Sequence, residues 1–197
     1  MIEERNYLIH PTYIVLALLL AGITSLFFGF SCAYLYTRIQ SGSPALQLPM
    51  LFIFNTVILI SASYTLVKSM HFYKTDQTRN YQISLGVTLI LTLIFLVSQI
   101  IAWKQLYGEG IMVDHSNMAS YLYIISIVHF AHVIIGIPFL ALFLYHSIKR
   151  MKEPVSVLVY FSDPDKKRKL KLLTIYWHFI DILWVYLVIF FLINSLF

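Results

Sequence analysis

Three apolar segments and one apolar–aromatic segment of this chain carry polar side chains at spacings that could do chemistry. His178 and Asp181 stand three residues apart in YWHFIDILWVYLVIFF at 176–191, and His129 and His132 stand three apart in HFAHVIIG at 129–136. Asn55 lies in LPMLFIFNTVILISAS at 48–63, and Gln99 in FLVSQIIAW at 95–103. Residues three apart share one face of a helix. An ionisable side chain within a membrane span is costly, so it normally faces protein or water and has a task there. Two chemistries fit. His132 and His178, presented by facing helices, would hold a haem between them. Alternatively the same residues form a hydrogen-bonded belt, in which Asp181 fixes a histidine tautomer or orients its ring. Either way, unsatisfied polar groups are expensive in hydrocarbon, so these side chains should bond across helices.

The elements that must position them follow from composition. The chain is 59% hydrophobic and 12% charged, with a mean hydropathy of +0.78. A soluble domain of 197 residues would need more polar surface than this. An all-α, polytopic membrane protein is the class that remains. Crossing hydrocarbon takes about 20 residues at about 1.5 Å each. Five runs qualify, over about 12–37, 48–70, 83–103, 118–145 and 172–196, predicting a single domain built as a five-transmembrane-helix bundle. Pro11 and Pro49 suit helix starts, and SGSP at 41–44 closes the first span. Counting inward at helical rise puts Asp181 at roughly 13 Å, His132 at roughly 20 Å, Asn55 at roughly 22 Å, and His129 and Gln99 at roughly 24 Å. Four spans therefore bring a polar group toward mid-membrane.

The net charge of +5 reports orientation, not nucleic-acid binding. Twelve lysines and arginines fall on the side of the N-terminus and only Arg38 and Lys104 on the other, which predicts a cytoplasmic N-terminus and a periplasmic C-terminus. Glu3, Glu4, Arg5 and His10, with no small-residue cleavage site after them, do not read as a cleavable leader. The longest connection, 148–171, is expected to be a cytoplasmic loop whose VSVLVYF at 155–161 rests at the interface or on neighbouring protein; the basic run at 166–171 serves as a topology determinant. Cys32 is the only cysteine, which excludes an intrachain disulfide and a thiolate metal cluster. His10, His71, His115 and His146 lie near segment ends. Pro138, close to Gly136, removes an amide donor from the fourth span and should bend it. Ser61, Ala62 and Ser63 form a small-residue patch suited to close helix contact. Trp103, Trp177 and Trp184 read as interfacial and packing aromatics.

The motifs in their order resemble subunit III of the haem–copper oxidases in its five-helix bacterial form. AYLYTRI at 33–39 is similar to the family's Ala-Tyr-x-x-x-Arg ending of the first helix. LPMLFIFNTVILISAS resembles the Pro…Asn-Thr-x-x-Leu…Ser signature, FLVSQIIAW the Phe-Leu-x-x-Gln-x-x-x-Trp motif, HFAHVIIG the His-x-x-His-Val-x-x-Gly motif, and YWHFIDILWVYL the Tyr-Trp-His-Phe-x-Asp-x-x-Trp motif. All five spans are covered.

The resemblance implies a non-catalytic core subunit of a respiratory terminal oxidase in the bacterial plasma membrane. In such a complex electrons pass from cytochrome c, or from quinol in some members, to oxygen at haem and copper held by partner subunits. It implies direct packing on subunit I, membership beside subunit II, bound phospholipid, support of assembly and proton uptake, and no redox cofactor, metal or catalytic residue in this chain. The three span histidines are in any case too few for a haem–copper centre of its own. On this reading Asn55, Gln99, Trp103, His129, His132, Trp177, His178 and Asp181 form a structural polar belt and family motif. The alternatives are a stand-alone haem-binding electron-transfer protein using His132 and His178, and subunit III of a quinol oxidase or nitric oxide reductase. Two features depart from the family pattern. No carboxylate occurs around Gly22–Ser25, where many relatives carry a buried glutamate, and Ala102 replaces the acidic residue often found before the third-span tryptophan. The family's proton-collecting carboxylates therefore have no counterpart at these positions. The two extra N-terminal helices of seven-helix members, with the lipid cleft beside them, have none either.

Overall fold

A computed structural model describes residues 10–42, 48–113, 116–151 and 153–196. Glu3, Glu4 and Arg5, Ser43 and Pro44 of the first turn, His115 and Lys152 lie outside the described residues. The described residues form six helices: α1 (Pro11–Ser41), α2 (Met50–Lys74), α3 (Thr78–Gly108), α4 (Asn117–Arg150), α5 (Pro154–Ser162) and α6 (Pro164–Leu196). All but α5 are long and apolar enough to cross a membrane. The class is thus all-α with five candidate spans.

Local chemistry accounts for the helix ends. Pro11 occupies the first turn of α1, where its missing N–H is harmless, and the His10 ring accepts the Thr12 amide at 3.3 Å. Gly42 closes α1 with φ of 58°, a left-handed conformation that glycine adopts without a Cβ penalty, and its amide reaches the Arg38 carbonyl. Ser116 caps α4 by accepting the Ala119 amide at 3.1 Å.

The 148–171 connection differs from its expected form. It is not a loop: α4 continues to Arg150, α5 fills 154–162, and α6 already begins at Pro164. Pro154 and Pro164 each start a helix, as Pro11 does, and Asp163 caps α6 by accepting the amides of Asp165 at 2.9 Å and Lys166 at 3.3 Å. The basic run is therefore the first two turns of α6. Tyr160 and Phe161 turn inward, where Tyr73 Oη donates to the Tyr160 carbonyl at 3.0 Å and Phe161 packs edge-on against Tyr73 and Tyr81. Burial raises the Tyr160 phenol above its ordinary pKa.

Asp163 also pairs with Lys166 at 3.1 Å. That side-chain bond, with the two amides, holds its carboxyl below the usual carboxylate range. Because the folded pKa is the lower one, the cap stabilises the corner above the ordinary carboxylate pKa of about 3.9 and is lost as pH falls through the folded value. Amide protection factors at Asp165 and Lys166 should therefore drop on acidification in the native chain. In Asp163→Ala they should be low at every pH; equal protection in the two proteins would refute the cap.

Packing brings the long helices together around α6. The α2–α3 hairpin, turned through Asp76 at φ of 55°, is packed most extensively. α2 also rests on α6, α3 on α4, and α4 on α6, while α1 lies against α4 and α6. α1 is the most exposed of the five and α6 the most buried. α4 runs as one helix through Pro138.

Side-chain contacts define the two ends of the bundle. At one end Tyr73 meets Tyr160, Gln82 reaches the Ser147 carbonyl at 3.0 Å, and Lys171 lies over the Tyr13 ring. At the other, Arg38 donates to Asn194 Oδ1 at 2.8 Å and Trp103 Nε1 donates to Ser126 Oγ at 3.0 Å.

Candidate functional site

Every residue of the predicted belt lies in the contact zone between long helices, but the structure divides them among several neighbours. Asn55 on α2 donates to Gln99 Oε1 on α3 at 2.8 Å, with both residues fully buried. This is an interhelical amide pair in the hairpin seam. Asn55 Oδ1 and Gln99 Nε2 keep no partner. Trp103, one turn beyond Gln99, donates its indole N–H to Ser126 on α4.

His129 and His132 share a face of α4, yet they serve different neighbours. His129 is fully buried, and its Nε2 lies 3.2 Å from the Ile180 carbonyl on α6. A ring nitrogen facing a carbonyl must be the protonated one, so Nδ1 carries the lone pair and stays unpartnered. The ring is boxed by Phe95, edge-on at 5.9 Å, and by Trp184 at 4.8 Å, while Trp184 stacks on Phe52 at 5.6 Å. His132 instead turns its Nδ1–H back to the Val128 carbonyl of its own helix at 2.7 Å. The His132 carbonyl accepts the Tyr176 hydroxyl from α6 at 2.8 Å. The His132 ring lines an apolar groove with Leu16, Ile23, Phe139 and Tyr176.

His178 lies on another side of α6. Its Nδ1 is 2.5 Å from Ser63 Oγ on α2, and His178, Ser63 and Asp181 line a groove between α2 and α6. His132 and His178 therefore open onto different grooves, and the facing pair needed to hold a haem between them is not formed. Asp181 is 4% exposed; its carboxyl faces Ser63, and Oδ2 has no partner. The expectation that Asp181 fixes a histidine is thus corrected: it bonds to none of them. The cause is register. One turn along α6 brings both His178 and Asp181 to the α2 seam, where Ser63 stands between them, whereas His129 approaches α6 from the α4 side.

Trp177 has a packing role. Its ring fills the space that a side chain on Gly136 would need, closing α4 on α6. Sequence reasoning leaves the bonds of several contributors unassigned: Ser63 stands out there within a small-residue patch and the second-span signature, Arg38 as a topology marker and the end of the first-helix motif, and Asn194 not at all. A polar Asn194 inside the apolar end of α6, and Arg38 at the matching end of α1, are the available signals for that bond. Among the described residues no group of three or more His, Cys, Asp or Glu is placed to hold a metal. The arrangement can hold helices together and present polar atoms at two grooves.

Comparison with known proteins agrees with the motif order. The family model described as cytochrome c oxidase subunit III matches residues 26–195. The chain is 28% identical over 175 residues to cytochrome c oxidase subunit 3 of Bacillus sp. (strain PS3), covering 86% of this chain and 79% of that one. It is 29% identical over 176 residues to cytochrome c oxidase subunit 3 of Bacillus subtilis (strain 168), covering 86% and 80%. It is 25% identical over 141 residues to a probable quinol oxidase subunit 3 of Staphylococcus saprophyticus, covering 72% and 65%. With five membrane-crossing helices and the motifs of every span inside the matched region, this chain belongs to the cytochrome c oxidase subunit III family.

Proposed function

We propose that the chain works as the non-catalytic subunit III of a respiratory haem–copper terminal oxidase, a proton-pumping complex that passes electrons from cytochrome c to oxygen. It is a multi-pass bacterial membrane protein of a multi-subunit complex. In that complex it packs directly on subunit I, which with subunit II carries the haem and copper, and it supports assembly and proton uptake by the catalytic subunit. The observation that carries the reading is the family match over residues 26–195, which takes in the motifs of all five spans. The belt residues act in this reading as helix-to-helix bonds, not as ligands. The N-terminus faces the cytoplasm and the C-terminus the outer side. Supporting this, Lys68, Lys74, Arg79, Lys149, Arg150 and the 166–171 run gather at the end of the bundle where α2 meets α5, with Arg38 and Lys104 toward the other.

Lipid contact has a physical basis. The groove lined by His132 has a volume of about 720 Å³, is walled by Leu16, Leu19, Ile135 and Phe143, and reaches Lys169. A neighbouring groove of about 400 Å³ shares Phe139, Phe143 and Lys169 and adds His146, Arg150 and Lys166. Apolar walls below a basic mouth suit an acyl chain and an anionic headgroup.

Affinity purification of the tagged chain from native membranes should bring down a haem–copper catalytic subunit with its haem absorption bands. A stable particle without such a subunit would overturn the reading. A second reading, subunit III of a quinol oxidase, is favoured by the staphylococcal relatives named probable quinol oxidase subunit 3. Oxygen uptake by the intact complex with reduced cytochrome c, against uptake with quinol, separates the two.

A further inference from the structure

The groove between α2 and α6 has a polar floor that nothing in the chain completes. It measures about 290 Å³, and Ile60, Val67, Ile182 and Val185 form apolar walls around Ser63, His178 and Asp181. Ser63 Oγ is bonded to His178 Nδ1 at 2.5 Å, and Asp181 lines the same groove beside them. Asp181 Oδ2, on a residue 4% exposed, has no hydrogen-bond partner. A carboxyl in an apolar wall is held as the ion only where a cation or a donor meets it, so a partner that brings one gains a strong, specific contact. Among the described residues the ion pairs are Lys166–Asp163 and Arg168–Asp165, both at the start of α6. Arg38 is spent on Asn194, and Lys104 lines a groove on α3 and α4. The rim is apolar and open: Ile60 is 54% and Ile182 68% exposed.

We infer that this groove is the docking site for a membrane-crossing helix of another oxidase subunit, which delivers an arginine or lysine side chain to Asp181. Charge complementarity selects this occupant. An acyl chain would cover Ile60 and Ile182 but bring no donor, and a second copy of the same face would oppose Asp181 with Asp181. The inference rests on the subunit III reading and adds to it the face and the chemistry of the contact.

The test uses the intact complex. A photoreactive benzophenone side chain is incorporated in place of Ile60 or Ile182, and crosslinked peptides are identified by mass spectrometry. Both positions should label one helix of one other subunit, with Arg or Lys within a turn of the crosslink. Asp181→Asn, which keeps the shape, should speed loss of the chain from the complex in detergent on the order of tenfold. Crosslinks only to lipid or to a second copy, or Asp181→Asn retained like the parent, would overturn the docking site and leave the subunit reading intact. Failure of the unmodified chain to co-purify with any oxidase subunit would remove both.

Discussion

Gly136→Ala should destabilise the bundle by about 1–3 kcal/mol, the usual range for overpacking a filled contact, and Gly136→Leu should prevent α4 from seating on α6. A Cβ at position 136 would lie 2.5 Å from Trp177 Cζ3, 3.1 Å from Trp177 Cη2 and 3.1 Å from Tyr176 Cε1. The Trp177 ring is rigid and 3% exposed, and Tyr176 is tied by its hydroxyl to the His132 carbonyl, so neither neighbour yields cheaply. Trp177→Phe, which shortens the obstructing ring, should recover part of the loss in Gly136→Ala while costing stability alone. Thermal unfolding in detergent of the four proteins of this cycle measures it. A Gly136→Ala protein that melts with the parent would show that the α4–α6 contact is looser than its geometry.

The amide pair in the hairpin seam should give the opposite pattern. Asn55→Leu leaves Gln99 Oε1 buried without its donor, and Gln99→Leu leaves Asn55 Nδ2 without its acceptor; each should cost about 1–3 kcal/mol. Replacing both removes the stranded group along with its partner. Because Asn55 Oδ1 and Gln99 Nε2 are already unpartnered, the double leucine protein also sheds two unsatisfied atoms. It should therefore lose much less than the sum of the single changes and approach the parent. Interhelical hydrogen bonds in membrane proteins average about 0.6 kcal/mol, so little net stability is at stake once neither partner is left alone. A double-mutant cycle on unfolding decides the matter; additive losses would contradict it.

Sequence made the long helices legible because an apolar run of this length has one economical answer in hydrocarbon, a helix that satisfies its own backbone. It did not show their true ends, since polar residues such as those at 164–171 continue a helix beyond the apolar layer without altering the hydropathy that marked it. α5 escapes notice for a related reason. Its seven-residue apolar stretch is too short to span, and Pro154 and Asp163–Pro164 look like loop punctuation, although each proline starts a helix just as Pro11 does. The belt is recognisable by residue type and depth, while its pairings are not. Helices apolar on all sides give no stripe from which to fix rotation, so a shared face for His129 and His132 does not reveal that one bonds to α6 and the other to its own helix. For the same reason the spacing of His178 and Asp181 identifies a common neighbour but not that the neighbour is Ser63.

The packing order bears on how the chain is made. α2 and α3 follow one another through a turn at 75–77 and bury against each other at once, so their contacts are local and close early in synthesis. α1 is made before them yet rests on α4 and α6. Its bonds, Arg38 to Asn194 and Tyr186 to Ser31, join residues 156 and 155 positions apart. The contacts of α1 thus cannot begin to form before α4 is made. α1 is therefore anchored in two steps, on α4 through Thr37 and Tyr121 and then on α6 through Ser31 and Arg38.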